Sequence, residues 1–150
     1  MPPKAASSQG GQQIDLGSLP SETLLNIKRQ LDSELSTLNT SFTSLRTAQS
    51  RFSSCLLTLS DGISSREPGT PILVPLTTSL YVPGTLADVD KVMVDVGTGF
   101  YVEKTIKEAE AFYKGKVVEL GGNLKDLEKI LEGKGQNLRI VEEGELRAGL

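Results

Sequence analysis

The amino-acid sequence predicts an α+β protein in which two long helices pair as an antiparallel coiled coil and are joined by two β-hairpins. Residues 18–65 and 104–148 each carry apolar side chains seven residues apart, with a second row offset by three or four, which is the pattern of a coiled-coil helix. Between them, residues 71–103 contain two pairs of strand-like segments separated by turn residues. Because the two helical segments are similar in length, we expect the chain to fold back on itself through the hairpins.

The beginning of the chain differs in composition from the rest. Residues 1–17 are rich in Pro, Ala, Ser, Gly and Gln, which is typical of a disordered tail. The first helix is then expected to begin with Ser18 as its N-cap, Pro20 in its first turn and Glu22 favourably placed for the helix dipole.

The apolar rows of the first helix continue for about six heptads, or roughly 65 Å of helix. They consist of Leu24, Leu31, Leu38, Leu45, Phe52 and Leu59 in one row, and Leu35, Phe42, Leu56 and Ile63 in the other. Lys28 and Gln49 interrupt the second row. Like Lys134 in the second helix, either they set the register or the choice of partner, or they extend into solvent. Ser and Thr crowd the flanks and form helix poorly, so we expect the helix to depend on a partner for its stability.

A helix break is expected at Asp61-Gly62, and the prolines that follow favour extended structure. The strand-like pairs are residues 72–76 with 80–82 and residues 92–96 with 100–102. Pro75 and Pro83 lack an N–H, so we place them at an edge or a strand end, with Pro83-Gly84 ending the first pair. Gly97 and Gly99 allow the positive φ of a tight hairpin turn. A two-stranded hairpin alone is marginally stable, so these hairpins need another surface.

The second helix is expected to begin near Lys104. Its two rows consist of Ile106, Tyr113, Leu120, Leu127 and Val141, and of Val117, Leu124, Leu131 and Leu138, with Lys134 filling a gap in the first row. Six glycines interrupt this segment, each costing about 1 kcal/mol relative to Ala. We therefore expect the helix to be firm near the strands and loose towards its end.

Composition excludes several classes of function. The 150 residues contain no His, one Cys and a formal net charge of −3, which removes His-based catalysis and metal sites, an intrachain disulfide and a Cys-rich zinc site. Lys and Arg form no positive patch with interleaved aromatics, so direct nucleic-acid binding is not expected. Without an apolar segment long enough for a signal or membrane span, the sequence favours a soluble intracellular protein.

Four local features invite a functional interpretation, and each has a simpler structural one. Gly97-Thr98-Gly99 lacks the Lys and following helix of a phosphate loop, and a hairpin turn is favoured. Gly133-Lys134-Gly135 is interpreted as part of a frayed helix, and the Asp88, Asp90 and Asp95 carboxylates as solvated acids, since their spacing matches no EF-hand loop. Cys55 is interpreted as an inert, half-buried thiol. No catalytic residue, cofactor site or metal site is assigned.

Apolar residues also gather where the two helices are expected to end together. The candidate client-binding residues are Leu19, Leu24, Leu25, Leu138, Ile140, Val141 and Leu146. Ordinary packing between the helix ends accounts for them equally well. The functional alternative is an adaptable apolar surface that holds a non-native chain.

Two central segments resemble the α class of the prefoldin family: Val74-Pro75-Leu76-Thr77-Thr78-Ser79-Leu80-Tyr81-Val82-Pro83-Gly84 and Val94-Asp95-Val96-Gly97-Thr98-Gly99-Phe100-Tyr101-Val102-Glu103-Lys104-Thr105. With the flanking heptads, the resemblance covers about residues 18–145. It implies a heterohexamer of two α and four β subunits in which the hairpins contribute to an intersubunit β-barrel. The oligomerisation residues would then be Ile72, Val74, Leu76, Leu80, Val82, Val92, Val94, Val96, Phe100 and Val102.

The resemblance further implies an ATP-independent co-chaperone that captures unfolded actin and tubulin and passes them to the cytosolic group II chaperonin. Its implied location is the cytoplasm, with an additional nuclear role left open. Two other hypotheses remain: a coiled-coil scaffold or tether, and an enzyme, against which the missing His and missing pocket motif argue.

Overall fold

The computed structural model describes residues 15–149, which form two compact units. The terminal unit comprises residues 15–39 with 130–149, and the central unit comprises residues 40–129. The elements are α1 (Ser21–Leu57), β1 (Pro71–Pro75), β2 (Tyr81–Thr85), β3 (Lys91–Gly97), β4 (Phe100–Thr105) and α2 (Ile106–Arg147), with a 3₁₀ turn (Leu16–Ser18) before α1 and a π-helical turn (Thr58–Ile63) after it. Two long helices and two antiparallel hairpins are the α+β arrangement that the sequence predicts.

The start of α1 differs from the prediction. Of the predicted tail, residues 1–14 lie outside the described residues. Asp15 begins the 3₁₀ turn by accepting the N–H of Gly17 at 3.1 Å. Ser18 is not the N-cap of α1, because it lies in this turn and its Oγ donates to the carbonyl of Asp15 at 2.8 Å. The helix instead begins at Ser21, and the carbonyl of Pro20 accepts from the N–H of Leu24 at 3.2 Å.

The Ser and Thr residues along α1 are accommodated within the helix. Hydroxyls of Thr37, Thr47 and Ser54 donate to the carbonyl four residues earlier, at 2.9–3.1 Å. This pattern satisfies the hydroxyls without breaking the backbone ladder. The expected break at Asp61-Gly62 is wrong, since the π-helical turn carries the chain through both residues to Ile63.

The helical rows face inward as predicted. Each helix has two apolar rows, and in both units every described residue of these rows is buried or half-buried. Two cross-helix contacts in each unit show that α1 and α2 are antiparallel there. In the central unit Phe52 contacts Tyr113 and Gln49 bonds to Val117, and in the terminal unit Lys28 bonds to Glu145 and Glu34 to Lys134. α2 begins at Ile106 and is continuous to Arg147 despite its glycines.

Each hairpin is a separate two-stranded antiparallel sheet. β1 pairs with β2 and β3 with β4, with a bulge between Asp95 and Gly97 before the turn. The prediction that the first strand pair ends at Pro83-Gly84 is wrong, since β2 extends to Thr85. Pro83 lies within this strand, opposite Leu73. Proline is compatible with this position because its missing N–H would point to the outer edge of the sheet.

A small core anchors the second hairpin to the helices. Leu59, Val94 and Ala109 are buried together, at 5%, 1% and 0% exposure. Ile63, Val92, Ile106, Phe112 and Tyr113 pack around them. This cluster contains residues of β3 but none of β1 or β2, so within the described chain the first hairpin contributes no residue to the core.

Candidate functional site

Along β1, residues that form hydrogen-bonded pairs with the opposite strand alternate with residues that do not. Leu76 N–H donates to the carbonyl of Leu80 at 2.9 Å, and Leu86 N–H donates to that of Thr70 at 3.0 Å. Given the register of the strands, the even-numbered residues of β1 and β2 form the hydrogen-bonded pairs. The odd-numbered residues therefore direct their backbone groups away from the partner strand, towards the two outer edges.

The second hairpin has the same alternation. Ile106 N–H donates to the carbonyl of Asp90 at 3.2 Å, which makes the even-numbered residues of β3 and β4 the hydrogen-bonded pairs before the bulge. Lys91, Met93 and Asp95 thus direct their backbone N–H and C=O groups to the outer edge of β3. In the part of the chain that the structure describes, each strand of both sheets has one such edge without a neighbouring strand.

Most of the candidate oligomerisation residues are exposed. Val74, Leu76, Leu80, Val82, Val96, Phe100 and Val102 are 40–71% exposed, and Ile72 and Val92 are half-buried. Val94 differs from them, because its side chain lies in the core of its own chain and is not available at the surface. An exposed apolar surface of this extent on small hairpins is typical of a surface that is covered in an assembly.

Sequence reasoning missed the opposite faces of the hairpins. Leu73, Tyr81, Met93 and Tyr101 are 53–69% exposed and lie on the faces opposite the candidate residues. The available signal was the uninterrupted apolar run of residues 72–74, since a strand that alternates apolar and polar residues buries one face and a continuous run buries both.

Polar residues within the helical rows bond across the coiled coil. In the terminal unit, Lys28 Nζ lies 3.2 Å from Glu145 Oε2 and 3.7 Å from Glu142 Oε1, and Lys134 pairs with Glu34. The hydrogen bond that Lys28 donates to Glu145 raises the pKa of Lys28, and the one that Lys134 donates to Glu34 lowers the pKa of Glu34. Both lysines therefore pair across the coiled coil instead of extending into solvent, and a role in setting the register stays a prediction.

Gln49 makes the corresponding contact in the central unit. Its Nε2 donates to the backbone carbonyl of Val117 on α2 at 3.1 Å. Gly121 makes room for this side chain, since a Cβ at that position would lie 3.1 Å from the same nitrogen. A glycine that appears unfavourable for helix thus gives the glutamine access to the opposite backbone.

The candidate client-binding residues divide into buried and exposed sets. Leu24 and Val141 are 1% and 4% exposed, so the structure places them inside the terminal unit and not on its surface. Leu19 and Leu138 are half-buried. Leu25, Ile140 and Leu146 are 37%, 51% and 75% exposed.

A cleft of about 350 Å³ lies in the terminal unit between the 3₁₀ turn and the end of α2. Leu16, Leu19 and Ile140 line it together with Glu143 and Arg147. The lining of this cleft is therefore mixed, with apolar and charged side chains side by side.

The remaining sequence candidates have structural roles. Gly97-Thr98-Gly99 forms the hairpin turn, with positive φ at all three residues (122°, 51° and 79°). The Asp88 and Asp95 carboxylates accept the N–H groups of Asp90 and Gly97 at 2.8 and 2.9 Å. Over residues 15–149, no group of three or more possible ligands gathers as a metal site, and no helix is long and apolar enough to cross a membrane.

Cys55 is half-buried, and Gly133-Lys134-Gly135 lies within α2, where Lys134 is engaged with Glu34. Burial raises the pKa of Tyr113, beside Cys55. Neither segment assembles the groups of a catalytic centre.

The described structure is thus a coiled-coil protein whose hairpins carry open strand edges and exposed apolar faces. The Prefoldin family model, described as "Prefoldin subunit", matches residues 31–143. The chain is 41% identical over 136 residues to "Probable prefoldin subunit 5" of Schizosaccharomyces pombe, covering 90% of this chain and 88% of that protein. It is 39% identical over 126 residues to "Prefoldin subunit 5" of Homo sapiens, covering 82% and 79%. A chain in the cryo-EM structure of filamentous PFD from Methanocaldococcus jannaschii aligns with 18% identity and a TM-score of 0.48, covering 87% of this chain and 98% of that one.

The chain belongs to the prefoldin family. Prefoldin subunits are chaperones and not enzymes, so this chain is a subunit of a prefoldin co-chaperone.

Proposed function

We propose that this chain is the α-class subunit of the subunit 5 type in a heterohexameric prefoldin of two α and four β subunits. The relatives named prefoldin subunit 5 match nearly the whole chain, which supports this type. The observation that carries the proposal is the exposure of apolar side chains on the hairpins, with Leu73 at 69% and Phe100 at 71%. Other subunits would cover these faces and pair with the open edges, completing an intersubunit β-barrel.

The terminal unit is the proposed capture surface. Leu25, Ile140 and Leu146 supply exposed apolar area in this unit, and Ile140 also lines the cleft together with Glu143 and Arg147. Such a surface suits varied unfolded chains, because apolar contacts are non-directional and need no fixed complementary shape. Unfolded actin and tubulin are the proposed clients, and the cytosolic group II chaperonin takes them over by competing for the same client in the cytosol, without nucleotide hydrolysis by prefoldin.

A scaffold or tether is the second candidate function. The antiparallel coiled coil alone would suit it. The exposed apolar hairpin faces favour the co-chaperone, because a tether would have no reason to keep them open to water.

The capture proposal is tested with hexamers reconstituted from this chain and its partner subunits. Chemically unfolded actin is diluted into them without nucleotide, and light scattering reports aggregation. We expect wild-type hexamers to suppress aggregation, and hexamers carrying Ile140→Ser and Leu146→Ser to suppress it less. Val118→Ser is the matched control, since Val118 is as exposed as Leu146, at 75%, but lies in the central unit.

The outcomes separate the parts of the proposal. Equal suppression by the double variant and the control would show that this subunit's terminal unit does not hold the client. Failure of the wild-type chain to assemble with the other subunits would refute the prefoldin proposal and favour the tether. A separate measurement tests the transfer step. Chaperonin added to the assembled wild-type complex should remove labelled actin from it, and retention of the actin would contradict the transfer.

A further inference from the structure

We infer that the charged pairs between α1 and α2 in the terminal unit are positioning elements, which select one register of the coiled coil and so keep the proposed capture surface assembled. The pairs are Lys28 with Glu145 and Lys134 with Glu34. The selection of a register concerns the chain alone, and only its effect on capture rests on the proposed function.

The apolar rows of the terminal unit consist almost entirely of leucine. They contain Leu24, Leu31, Leu35 and Leu38 on α1 and Leu131, Leu138 and Val141 on α2. If one helix slides past the other by a heptad, about 10 Å, leucine again meets leucine along most of the seam. Leucine packing alone therefore fits more than one register almost equally well.

The central unit differs, because its rows contain side chains of unlike shape. Phe52 contacts Tyr113, with ring centroids 5.9 Å apart. Gln49 donates to the backbone carbonyl of Val117. A shift of one heptad would break both contacts, so this unit distinguishes registers by shape and by a specific hydrogen bond. In the terminal unit, the polar side chains are the ones that stand out from the leucines.

Charged residues occupy row positions in the terminal unit. Lys28 belongs to the second row of α1 and Glu145 to the second row of α2, and their Nζ and Oε2 atoms lie 3.2 Å apart. Lys134 belongs to the first row of α2 and pairs with Glu34, which lies next to a row position of α1. The observed register is thus one in which each charge at a row position meets an opposite charge.

A shifted register separates these charges from their partners. Sliding by one heptad in one direction would place Glu145, which is 8% exposed, opposite Leu35. Sliding in the other direction would place Lys28 opposite Leu138. Breaking a buried ion pair by removing one partner is strongly destabilising, because the remaining charge stays buried and uncompensated. The charged pairs therefore disfavour registers that leucine packing would accept.

The Lys28–Glu145 pair is poorly suited to adding stability, which leaves selection as its main effect. Over the described residues, the second carboxylate oxygen of Glu145, Oε1, is buried and has no hydrogen-bond partner. A buried carboxylate with one unpaired oxygen is costly, and apolar residues of similar size are often as stable or more stable at such a site. Polar residues at coiled-coil row positions give up stability in exchange for a defined register.

The register decides which apolar side chains come together at this end of the coiled coil. The proposed capture surface combines Leu25 of α1 with Ile140 and Leu146 of α2. A shift of one heptad would move the two α2 residues by about 10 Å relative to Leu25. The charged pairs would thus act on capture through the position of these side chains.

The first experiment measures the register in the isolated full-length chain. Spin labels on Asn26→Cys and Gly133→Cys, in a Cys55→Ser background, report a distance between α1 and α2 by double electron–electron resonance. Both positions are exposed, and a Cβ at Gly133 enters open space. Asn26 lies near the first charged pair and Gly133 next to the second, so sliding of one helix changes their separation.

The decisive variant combines Lys28→Leu, Lys134→Leu and Glu145→Leu, which completes the apolar rows. We expect it to melt no lower than the wild type and yet to show a second distance, displaced by roughly one heptad, where the wild type shows one. The matched control, Lys116→Ala with Glu119→Ala, removes an ion pair within α2 of the central unit and should keep the single distance. A single unchanged distance in the triple variant, a lower melting temperature, or an equal effect of the control would overturn the inference.

A charge exchange tests whether it is the pairing of opposite charges that selects the register. In a chain with Lys28→Leu and Glu145→Leu, which keeps the other pair, Glu34→Lys should produce the second distance, because it places two ammonium groups opposite each other. Adding Lys134→Glu should restore the single distance. The two side chains are 38% and 32% exposed, so neither exchanged charge is fully buried. Failure of the exchange to restore one distance would overturn the inference.

The effect on capture is measured in reconstituted hexamers with unfolded actin and no spin label. We expect the triple variant to suppress aggregation less than the wild type, although its chain is at least as stable. Equal suppression would overturn the positioning role in capture. Absence of suppression by wild-type hexamers would refute the proposed function, whereas the distances in the isolated chain decide the register independently of it.

Discussion

Val94 and Val102 lie directly opposite each other in the second hairpin and provide a matched pair for testing where the stability of the hairpin originates. Val94 is 1% exposed and packs in the core with Leu59 and Ala109, whereas Val102 is 41% exposed. We expect Val94→Ala to destabilise the isolated chain much more than Val102→Ala, although the two substitutions remove the same atoms from the same cross-strand pair.

The magnitude follows from the burial of each side chain. Each substitution removes two methyl groups, worth about 1.6 kcal/mol when fully buried. At Val94 the cavity left behind raises the cost to about 2–3 kcal/mol, while at Val102 the exposed fraction reduces it to about 0.5–1 kcal/mol. For a chain of this size, the Val94 variant should melt about 4–10 °C below the wild type.

Urea unfolding followed by far-UV circular dichroism measures both free energies of unfolding, and the slope of the transition checks that the two variants expose the same surface. Equal losses at the two positions would show that Val94 is not in a core, and the assignment of the β3 face to the helices would be wrong.

Two further predictions concern the coiled coil. Gly122→Ala should raise the free energy of unfolding by about 0.5–1 kcal/mol, because its Cβ enters open space and Ala favours helix. Gly121→Ala should raise it little or not at all, since the new Cβ would lie 3.1 Å from the amide nitrogen of Gln49. An equal rise for both variants in urea unfolding would contradict the Gln49 contact. The pKa of Glu34 is lowered by Lys134 from its ordinary value of 4.5, so the pair contributes stability above about pH 4.5 and loses it as the pH falls through the lowered pKa. Lys134→Met should therefore reduce the difference in melting temperature between pH 6 and pH 3, and an unchanged difference would refute the contribution of the pair.

The helical part of the fold was predictable because heptad periodicity is a local property of the sequence. The inward rows from Leu24 to Ile63 are buried or half-buried where the spacing placed them. The same rule resolves a conflict in the sequence prediction, which assigned Leu24 and Val141 both to the helical rows and to the client surface. A side chain at a row position packs against the opposite helix. Leu24 and Val141 are therefore buried within the coiled coil and do not form part of a client surface.

The remaining differences come from interactions that span the sequence. The break expected at Asp61-Gly62 does not occur, because the π-helical turn keeps Leu59 and Ile63 packed against β3 and α2, and that contact depends on residues distant along the chain. Whether Lys28 and Gln49 set the register could likewise not be decided from one helix, since it depends on the opposite residue: a buried carboxylate in one case, and the backbone beside a glycine in the other.

The hairpin alternation changes how assembly should be probed by mutation. A proline at Val94 would remove a hydrogen bond inside the hairpin and disturb a buried side chain, so its loss of assembly would not distinguish an unfolded hairpin from a missing intersubunit bond. Val102→Ala is more informative when it is measured twice. If other subunits cover the part of this face that is exposed at Val102, the cost should rise from about 0.5–1 kcal/mol in the isolated chain towards the 2–3 kcal/mol of a fully buried site in the hexamer. An identical cost in both states would mean that Val102 stays open to water in the hexamer, and neighbouring subunits would then contact this hairpin through its edges or its opposite face.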